Sequence, residues 1–261
     1  MARNNHRPPI PDPVEELVQL AIDLDLTALA AGLRDILARA EREGMSFTNF
    51  GLAALRAEVL ARKQRRLERS LTRSHLGTVE GLDGFDYAIR HQLEPRIVNH
   101  LAHSLLFVEE KRNVLCLGKP GLGKTRIAKA IAHAACLAGY STLCVVTAEM
   151  LEDLHASHAD ATFKRTLRRY VKPAVLLLDE FGYEPFDSAA TSYLFRLVSA
   201  RHCHGSIILT ANTGFSQWKN LFPSEAQAVA TVDRLVDRAT ILRFTGKTKR
   251  EPVEISGAPL D

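Results

Sequence analysis

Eight consecutive residues join a glycine-rich turn to a lysine and a threonine, a combination suited to holding phosphate groups. They read Gly118-Lys119-Pro120-Gly121-Leu122-Gly123-Lys124-Thr125. They follow an apolar run and open a helical one, as the pattern G-x-x-x-x-G-K-[ST] requires. Backbone N–H groups of such a loop close around phosphate oxygens, and the helix start adds partial positive charge. An ordinary strand-to-helix turn, the alternative, needs no lysine there. We predict that all eight residues and the adjoining Arg126 bind ATP, with Lys124 at the β- and γ-phosphates and Thr125 on Mg²⁺.

Two carboxylates at the end of a later apolar run complement this loop. Asp179 and Glu180 directly follow the run Val175–Leu178. Because Asp179 would lie at the carboxyl end of a strand, we predict that it holds the Mg²⁺ shell. Glu180 would orient and deprotonate the attacking water as a general base. The alternative, that the pair only caps the strand, is not favoured downstream of such a loop, so the sequence predicts hydrolysis as well as binding of ATP.

Later polar residues are candidates for a sensor and for a residue that acts in trans. The apolar run Ser206–Thr210 leads to Asn212. We predict that the Asn212 amide hydrogen-bonds the γ-phosphate and the water, and a simple turn asparagine is the alternative. Arg234 and Arg238 are predicted one turn apart on a helical segment, 226–239, and either could enter a neighbouring subunit's site as an arginine finger. A solvated surface arginine is the competing interpretation, and for Arg238 it is the favoured one.

Short apolar runs that alternate with helical segments indicate how these residues are positioned. The runs are Val114–Leu117, Thr142–Val146, Val175–Leu178 and Ser206–Leu209. Their leucine and β-branched content without polar alternation is typical of parallel strands buried on both faces. Helices between them would make right-handed crossovers. We therefore predict an α/β fold, a three-layer α/β/α sandwich, over residues 113–261.

The beginning of the chain has a wholly helical pattern. Apolar residues recur at helical spacing in three segments, with Gly44 separating the second from the third and Ser46 as a predicted N-cap. The predicted inward positions are Val14, Leu17, Val18, Ala21, Leu29, Leu33, Ile36, Leu37, Ala40, Phe50, Ala53, Ala54, Ala57, Leu60, Leu67 and Leu71. We predict a small all-α N-terminal domain over residues 1–76. A glycine-rich linker with a lead-in helix is predicted over 77–112.

Two helical segments carry basic residues along one side. On the third helix these residues are Arg62, Arg65, Arg66, Arg69 and Arg73. On a later helix they are Lys164, Arg165, Arg168, Arg169 and Lys172. Such stripes bind phosphate backbones by charge neutralisation and counterion release, without reading base sequence. We predict that both stripes contact duplex DNA, and a solvated helix face is the alternative for each.

Composition limits the class of protein. The 261-residue chain is 46% hydrophobic and 25% charged, as expected of a globular chain with a core, and its net charge of +4 does not by itself indicate a nucleic-acid partner. Its four cysteines lack paired spacing, its first residues lack an apolar signal segment, and no apolar run reaches the ~20 residues of a membrane helix. A reduced, cytoplasmic protein is predicted. The adjacent His202, Cys203 and His204 have no second ligand pair, so a metal site there is not favoured.

Several sequence motifs resemble those of a known family, the helper ATPases of bacterial insertion-sequence transposons (IstB type). These are AAA+ proteins related to DnaC-type helicase loaders. The resemblance extends from Leu24 to Arg250. It is carried by Leu82-Asp83-Gly84-Phe85-Asp86, Asp179-Glu180-Phe181-Gly182-Tyr183-Glu184-Pro185-Phe186-Asp187, Phe215-Ser216-Gln217-Trp218 and Asp233-Arg234-Leu235. Asn49 and Lys249 depart from the family pattern, which has an acidic and an aromatic residue there.

The resemblance implies a function that spacing and composition do not indicate. It implies an ATPase that forms ATP- and DNA-dependent homo-oligomers, grips target duplex DNA and recruits or stimulates a separate transposase, with hydrolysis resetting the assembly. It also implies that Asn212 is the sensor and Arg234 the arginine finger. A DnaC-type loader of a replicative helicase, preferring single strands, is the alternative, and the gene next to this one would separate the two. A P-loop kinase would need a lid domain, for which little chain follows Gly246.

Overall fold

The computed structural model describes residues 12–88 and 92–246. The chain divides into two compact units, Met1–Glu68 and Arg69–Asp261. No helix within the described ranges is both long and apolar enough to cross a membrane. Arg250, whose role in the ATP site the sequence leaves open, lies outside the described residues together with Lys249.

The described part of the smaller unit is built from three helices. They are α1 (Pro13–Asp23), α2 (Thr27–Glu43) and α3 (Phe47–Ser74), and α3 continues into the larger unit. Gly44 forms the left-handed C-cap of α2. The Ser46 hydroxyl accepts a hydrogen bond from the Asn49 amide at 3.3 Å. Both predicted helix boundaries are therefore confirmed.

A buried carboxylate ties α3 to the start of α2. Glu58 of α3 accepts hydrogen bonds from the amides of Ala28 and Leu29, at the start of α2, at 2.9 and 3.1 Å. Arg62 and Arg65 donate to the same carboxylate at 2.8 and 3.0 Å. Burial alone would raise the pKa of Glu58, but the hydrogen bonds hold it below its ordinary value. The charged carboxylate therefore serves as an N-terminal cap for α2, supplied by another helix.

Two positions predicted to face the core of the smaller unit are exposed instead. Leu17 is 46% exposed and Leu60 is 65% exposed. Within the smaller unit, the buried positions of α3 are Ala54 and Glu58, one helical turn apart. Leu60 lies two residues beyond Glu58 and so points to the opposite side of the helix. The prediction was wrong there because it assumed that a leucine, and not a glutamate, would occupy the inner face.

A fully parallel sheet forms the centre of the larger unit. Its strands are β1 (Val114–Gly118), β2 (Thr142–Val146), β3 (Val175–Phe181), β4 (Ser206–Ala211) and β5 (Thr240–Phe244). They lie in the order β2-β3-β4-β1-β5, and every neighbouring pair is parallel. β5 is not among the predicted strands, because this strand is only partly buried and includes the exposed Arg243. The carboxyl ends of β1, β3 and β4 meet at one edge of the sheet.

Helices cover both faces of this sheet. They are α4 (Pro95–Ser104), α5 (Leu106–Glu109), α6 (Lys124–Leu137), α7 (Thr147–Ala159), α8 (Phe163–Val171), α9 (Ser188–Arg201), α10 (Phe215–Trp218), a 3₁₀ turn (Lys219–Leu221) and α11 (Glu225–Val236). Successive strand residues enter two separate cores, as the pleat requires. One core includes residues of α7, α8, α9 and α11, and the other includes residues of α4, α5 and α6. The predicted three-layer α/β/α sandwich is confirmed.

A buried arginine organises the end of α8. Arg201, the last residue of α9, is 1% exposed. Its guanidinium donates hydrogen bonds of 2.7–3.3 Å to the carbonyl oxygens of Tyr170, Val171, Pro173, Ala174 and Ser206. Burial lowers the pKa of Arg201 to about 10, so the group remains charged at neutral pH. It satisfies carbonyls that the end of a helix leaves open, a role that the sequence analysis did not identify.

Candidate nucleotide site

The glycine-rich loop lies between the carboxyl end of β1 and the start of α6. Gly118 has a φ of 152°, and a β-carbon there would lie 2.1 Å from the carbonyl oxygen of Phe244 on β5. Gly123 has a φ of 89°, and a β-carbon there would lie 2.6 Å from the Phe85 ring. Only glycine fits at either position. The loop thus enters α6 through backbone conformations whose N–H groups form an anion-binding concavity.

Lys124 begins α6 with its side chain folded over the loop. It is 6% exposed, and its Nζ donates to the carbonyl oxygen of Lys119 at 2.8 Å. The ammonium group therefore lies close to the loop backbone and to the positive end of the α6 dipole. A phosphate on the loop would meet the ammonium and the helix N-terminus together.

Hydroxyl groups from three elements converge on Asp179. The Thr125 and Thr210 hydroxyls donate to its Oδ1 at 3.0 and 2.5 Å, and the Thr147 hydroxyl donates to its carbonyl oxygen at 2.8 Å. The predicted partners Thr125 and Asp179 are therefore in contact, and their oxygens are the ligand type that Mg²⁺ takes. Thr147 and Thr210 were not among the predicted site residues. Both are hydroxyl residues near the carboxyl end of a strand, but no spacing within one strand shows that they face Asp179.

Glu180 lies in a β-bulge. Its φ is 56°, and the register between β3 and β4 shifts between Leu178 and Phe181. A bulge leaves one residue unpaired and re-aims its side chain. The Glu180 amide donates to the Thr210 hydroxyl at 3.0 Å, so this one hydroxyl contacts both carboxylate residues. The exposed Glu180 side chain lines a solvent-open groove of about 620 Å³ with Tyr183 and other residues of the same loop.

The segment before the sheet packs against the phosphate-binding loop. Arg126 donates to the carbonyl oxygens of Gly81 and Asp83 at 3.0 and 2.9 Å, and its guanidinium lies 5.7 Å from the centroid of the Phe85 ring. Phe85 also packs edge-on against Tyr87, with centroids 4.8 Å apart. The family motif at 82–86 thus lies beside the phosphate-binding loop. Arg126 holds this segment, and its contact with nucleotide stays a prediction.

Asn212 lies at the carboxyl ends of the strands, and Arg234 lies at their amino ends. Asn212 directly follows the carboxyl end of β4, the edge that carries the loop and the carboxylates. Arg234 lies at the other edge, because the Asn113 side chain, just before β1, donates to the carbonyls of Arg234 and Leu235 at 3.4 and 3.0 Å. Its guanidinium stacks 4.8 Å from the Phe195 ring centroid. Arg234 is therefore remote from the nucleotide site of its own chain.

The predicted helix that carries both late arginines ends sooner than expected. α11 ends at Val236, and Arg238 follows it with a φ of 54°. Arg234 and Arg238 are therefore not one turn apart on a single helix, as the sequence analysis had them. The unfavourable left-handed backbone at Arg238 marks the turn that leads into β5.

The two basic stripes have different surroundings. On α3, Arg62 also donates to the Asp25 carbonyl at 2.9 Å, and Arg65 also bonds the Thr27 hydroxyl. These two arginines therefore hold the smaller unit together. The remaining members Arg66, Arg69 and Arg73 are exposed. Contact of any of the five with DNA stays a prediction.

The stripe on α8 has a free outer side. Its exposed members are Lys164, Arg165, Arg168, Arg169 and Lys172. Phe163, Leu167 and Tyr170 on the opposite side belong to the core or pack against it, as the sequence predicts. Arg169 lies 3.5 Å from Asp153. DNA contact stays a prediction for this stripe also.

The described residues offer few other reactive groups. Within 12–88 and 92–246, no cluster of three or more His, Cys, Asp or Glu side chains is placed to hold a metal ion. The four cysteines are free thiols. Burial raises the pKa of Cys116 to about 12 and that of Cys144 to about 11, so both stay protonated at neutral pH and are poor nucleophiles. Phosphate chemistry at the loop is the chemistry that this geometry favours.

Known proteins are similar to this chain in sequence. The family model described as IstB-like ATP binding protein matches residues 19–254. A protein of Pseudomonas aeruginosa named as an ATP-binding protein of insertion sequence IS21 is 33% identical, over 91% of this chain and 89% of its own length. Its counterpart for insertion sequence IS5376 of Geobacillus stearothermophilus is 31% identical, over 81% and 84%.

The crystal structure of DnaI shares the fold. It matches with a TM-score of 0.54 at 20% identity, over 65% of this chain and 92% of that one. The family match extends over both the phosphate-binding loop and the paired carboxylates of β3. The chain therefore belongs to the IstB-like ATP binding proteins of insertion sequences and has the AAA+ P-loop fold.

Proposed function

We propose that the protein hydrolyses ATP as a switch that controls its grip on duplex DNA. The observation that carries this proposal is the arrangement at the end of β3. There the Asp179 carboxylate contacts Thr125 at 3.0 Å, and the bulge directs the next residue, Glu180, out of the strand ladder. A purely structural cap would need neither the contact with the loop nor the left-handed backbone of Glu180.

The residues of the site divide the work of hydrolysis. The loop and Lys124 would hold the β- and γ-phosphates, and Thr125 and Asp179 would hold Mg²⁺. When bound, the ion neutralises charge on the phosphate oxygens. Glu180 would orient the attacking water and accept its proton. Asn212, at the same edge of the sheet, would hydrogen-bond the γ-phosphate.

The position of Arg234 supports sites that are completed by a neighbouring subunit. The residue lies at the sheet edge away from the loop, where its carbonyl accepts from Asn113. It would therefore act on the nucleotide of another protomer, as an arginine finger does. ATP bound between protomers would then favour a homo-oligomer, and hydrolysis would release it.

The α8 stripe and the named relatives support the remaining parts of the proposal. Four exposed basic residues on α8 and Lys172 directly after it suit the phosphate backbone of DNA and offer no means of reading bases. Two relatives are named as ATP-binding proteins of insertion sequences. We therefore place this protein beside a transposase, which the DNA-bound oligomer would recruit or stimulate.

Hydrolysis is tested with two variants. Glu180→Gln should bind ATP as the parent does and lose at least about a hundredfold in turnover, since general-base catalysis contributes roughly 10²–10⁴-fold. Lys124→Ala should lose binding as well. The measurements are steady-state phosphate release and nucleotide binding by fluorescence titration. Parent-like turnover by Glu180→Gln would show that the base is misassigned.

DNA binding is tested by sedimentation with duplex and single strands of random sequence, with and without ATP, across a salt series. Large ATP-dependent oligomers on duplex DNA that dissociate steeply as salt rises are expected. A response restricted to single strands, or to an added replicative helicase, would instead indicate a helicase loader. Adding the transposase of the same insertion sequence to the duplex-bound oligomer tests the partner.

A further inference from the structure

Two helices of the smaller unit present apolar stripes at coiled-coil spacing. On α1 and the residue directly after it, the stripe is Leu17, Leu20 and Leu24. On α3 it is Leu52, Leu55 and Val59. All six side chains are between 43% and 68% exposed. Each stripe follows the a, d, a positions of a heptad, the spacing that joins two helices along a seam.

Charges of opposite sign flank the two stripes. Glu16 and Asp23 directly precede the first and last leucines of the α1 stripe, so they occupy g positions of its heptad. Arg56 and Lys63 follow the first and last members of the α3 stripe by one turn, so they occupy e positions. All four side chains are exposed. Residues at e and g are those that form ion pairs between the helices of a coiled coil and set its partner and orientation.

The two stripes match in register as well as in charge. In a parallel arrangement, pairing Leu17 with Leu52 also pairs Leu20 with Leu55 and Leu24 with Val59, because their spacings are identical. The same alignment brings both acidic g residues opposite the basic e residues: Glu16 faces Arg56, and Asp23 faces Lys63. Within one chain both stripes are exposed, so they do not cover each other. The partner that fits each stripe is the other stripe on a second copy.

We propose that α1 of one protomer docks along α3 of a second copy of this chain, through these stripes. Each protomer carries one apolar stripe with an acidic flank and one with a basic flank. The contact is therefore head-to-tail and can propagate into a ring or a chain. This inference rests on the proposed function in one respect, that the protein associates with itself, and it names the surface through which it does so. The contact needs no nucleotide, unlike the interface that Arg234 would complete.

The test is sedimentation velocity of the full chain at low salt, without ATP or DNA, so that a failure of ATP-driven assembly leaves the result readable. One variant reverses the acidic flank, Glu16→Lys with Asp23→Lys. A second reverses the basic flank, Arg56→Glu with Lys63→Glu. A matched control reverses two exposed charges elsewhere, Glu41→Lys with Glu43→Lys on α2. Circular dichroism confirms the helix content of each variant.

Each flank reversal should raise the dissociation constant of self-association at least about tenfold, because like charges would face each other. An equimolar mixture of the two variants should associate like the parent, since every contact between unlike variants regains opposite charges. A chain with all four reversals should also recover, and the control should match the parent. A monomeric parent, single-flank variants that associate as the parent does, or a mixture without recovery would each overturn the proposal.

Discussion

The Thr210 hydroxyl contacts both carboxylate residues of the nucleotide site. It donates to Asp179 Oδ1 at 2.5 Å and accepts from the Glu180 amide at 3.0 Å. The left-handed backbone of Glu180 costs on the order of 1–3 kcal/mol. The bond from the Glu180 amide is part-buried, and a hydrogen bond of this kind contributes about 0.5–1.5 kcal/mol, so the hydroxyl offsets part of the cost of the strained conformation. Thr210 therefore positions Glu180, the residue assigned as general base, through its backbone.

Replacing Thr210 with valine removes the hydroxyl and keeps the shape. We expect Thr210→Val to lower kcat for ATP hydrolysis by roughly 10–100-fold with little change in KM, because a misplaced base affects the chemical step more than binding. Thr210→Ser should retain most of the parent's kcat. Steady-state kinetics and thermal unfolding of both variants provide the check. Equal kcat values for Val and the parent, or equal losses for Ser and Val, would contradict this role.

Where a local motif specifies positions, the sequence predicts which residues the fold brings together, as the contact between Thr125 and Asp179 shows. Lys124, Thr125 and Asp179 follow from the loop pattern and from an apolar run that ends in carboxylates. Thr210 could not be found in this way, because its role depends on the register between β3 and β4 and on the bulge at Glu180. Register is a property of two strands distant in sequence, and no spacing within either strand reveals it.

At the scale of elements, Glu58 shows how one charge can join two helices, α2 and α3, and the turn before α2. Its carboxylate bonds the first amides of α2, while Arg62 and Arg65 tie it to the turn before α2. Because these bonds hold the pKa of Glu58 below its ordinary value of 4.5, its contribution to stability is fully present above that pH. The contribution is lost as the pH falls through the lower, folded-state pKa.

Glu58→Gln keeps the shape of the side chain and removes its charge. We expect the thermal midpoint of the smaller unit to fall by about 4–8 °C at neutral pH, since a charged cap and two ion pairs are lost. The difference from the parent should shrink as the pH falls below 4.5 and vanish once the parent carboxyl is itself protonated. Thermal unfolding followed by circular dichroism measures both values, with the exposed Glu41→Gln as the control. A difference that does not depend on pH would exclude the charge as its cause.

Arg201 gives a second prediction at this scale. Arg201→Met would leave five carbonyl oxygens without their buried donor, so the larger unit should lose about 3 kcal/mol or more of unfolding free energy. Arg201→Lys should recover little, because one ammonium cannot reproduce the planar fork of a guanidinium. Urea unfolding measures the loss. Arg196→Met, at an exposed position of the same helix, should be nearly neutral; an equal loss there would show that the buried bonds are not responsible.

Element type was easier to predict than element orientation. Four strands and the helices between them follow from uninterrupted apolar runs, since burial on both faces leaves a clear pattern. β5 did not, because an edge strand with a charged member resembles a loop. The inner face of α3 was misassigned at Leu60, since helical periodicity alone does not tell which of two apolar sides meets the core when a charged residue is buried.

At the scale of the whole molecule, α8 carries a dense group of exposed basic residues. The formal net charge is only +4, yet α8 alone carries five exposed basic residues, counting Lys172 directly after it. Arg201 fixes the end of that helix through Tyr170 and Val171. The basic stripe is thus displayed on a helix whose C-terminal end is held by buried hydrogen bonds, whereas Arg62 and Arg65 on α3 are already engaged within the smaller unit.

Variants of Arg165 and Arg168 distinguish DNA binding by the α8 stripe from a general effect of positive charge. Arg165→Ala with Arg168→Ala should weaken binding to two unrelated duplexes equally and reduce the slope of log K against log salt concentration by about two, because each lost phosphate contact removes roughly 0.9. Arg39→Ala with Arg42→Ala, at exposed positions on α2, removes the same charge elsewhere and should leave the slope unchanged. Fluorescence anisotropy at several salt concentrations measures these slopes. Equal slopes for the α8 pair and the parent would place the DNA on another surface, and a loss confined to one duplex would indicate base readout.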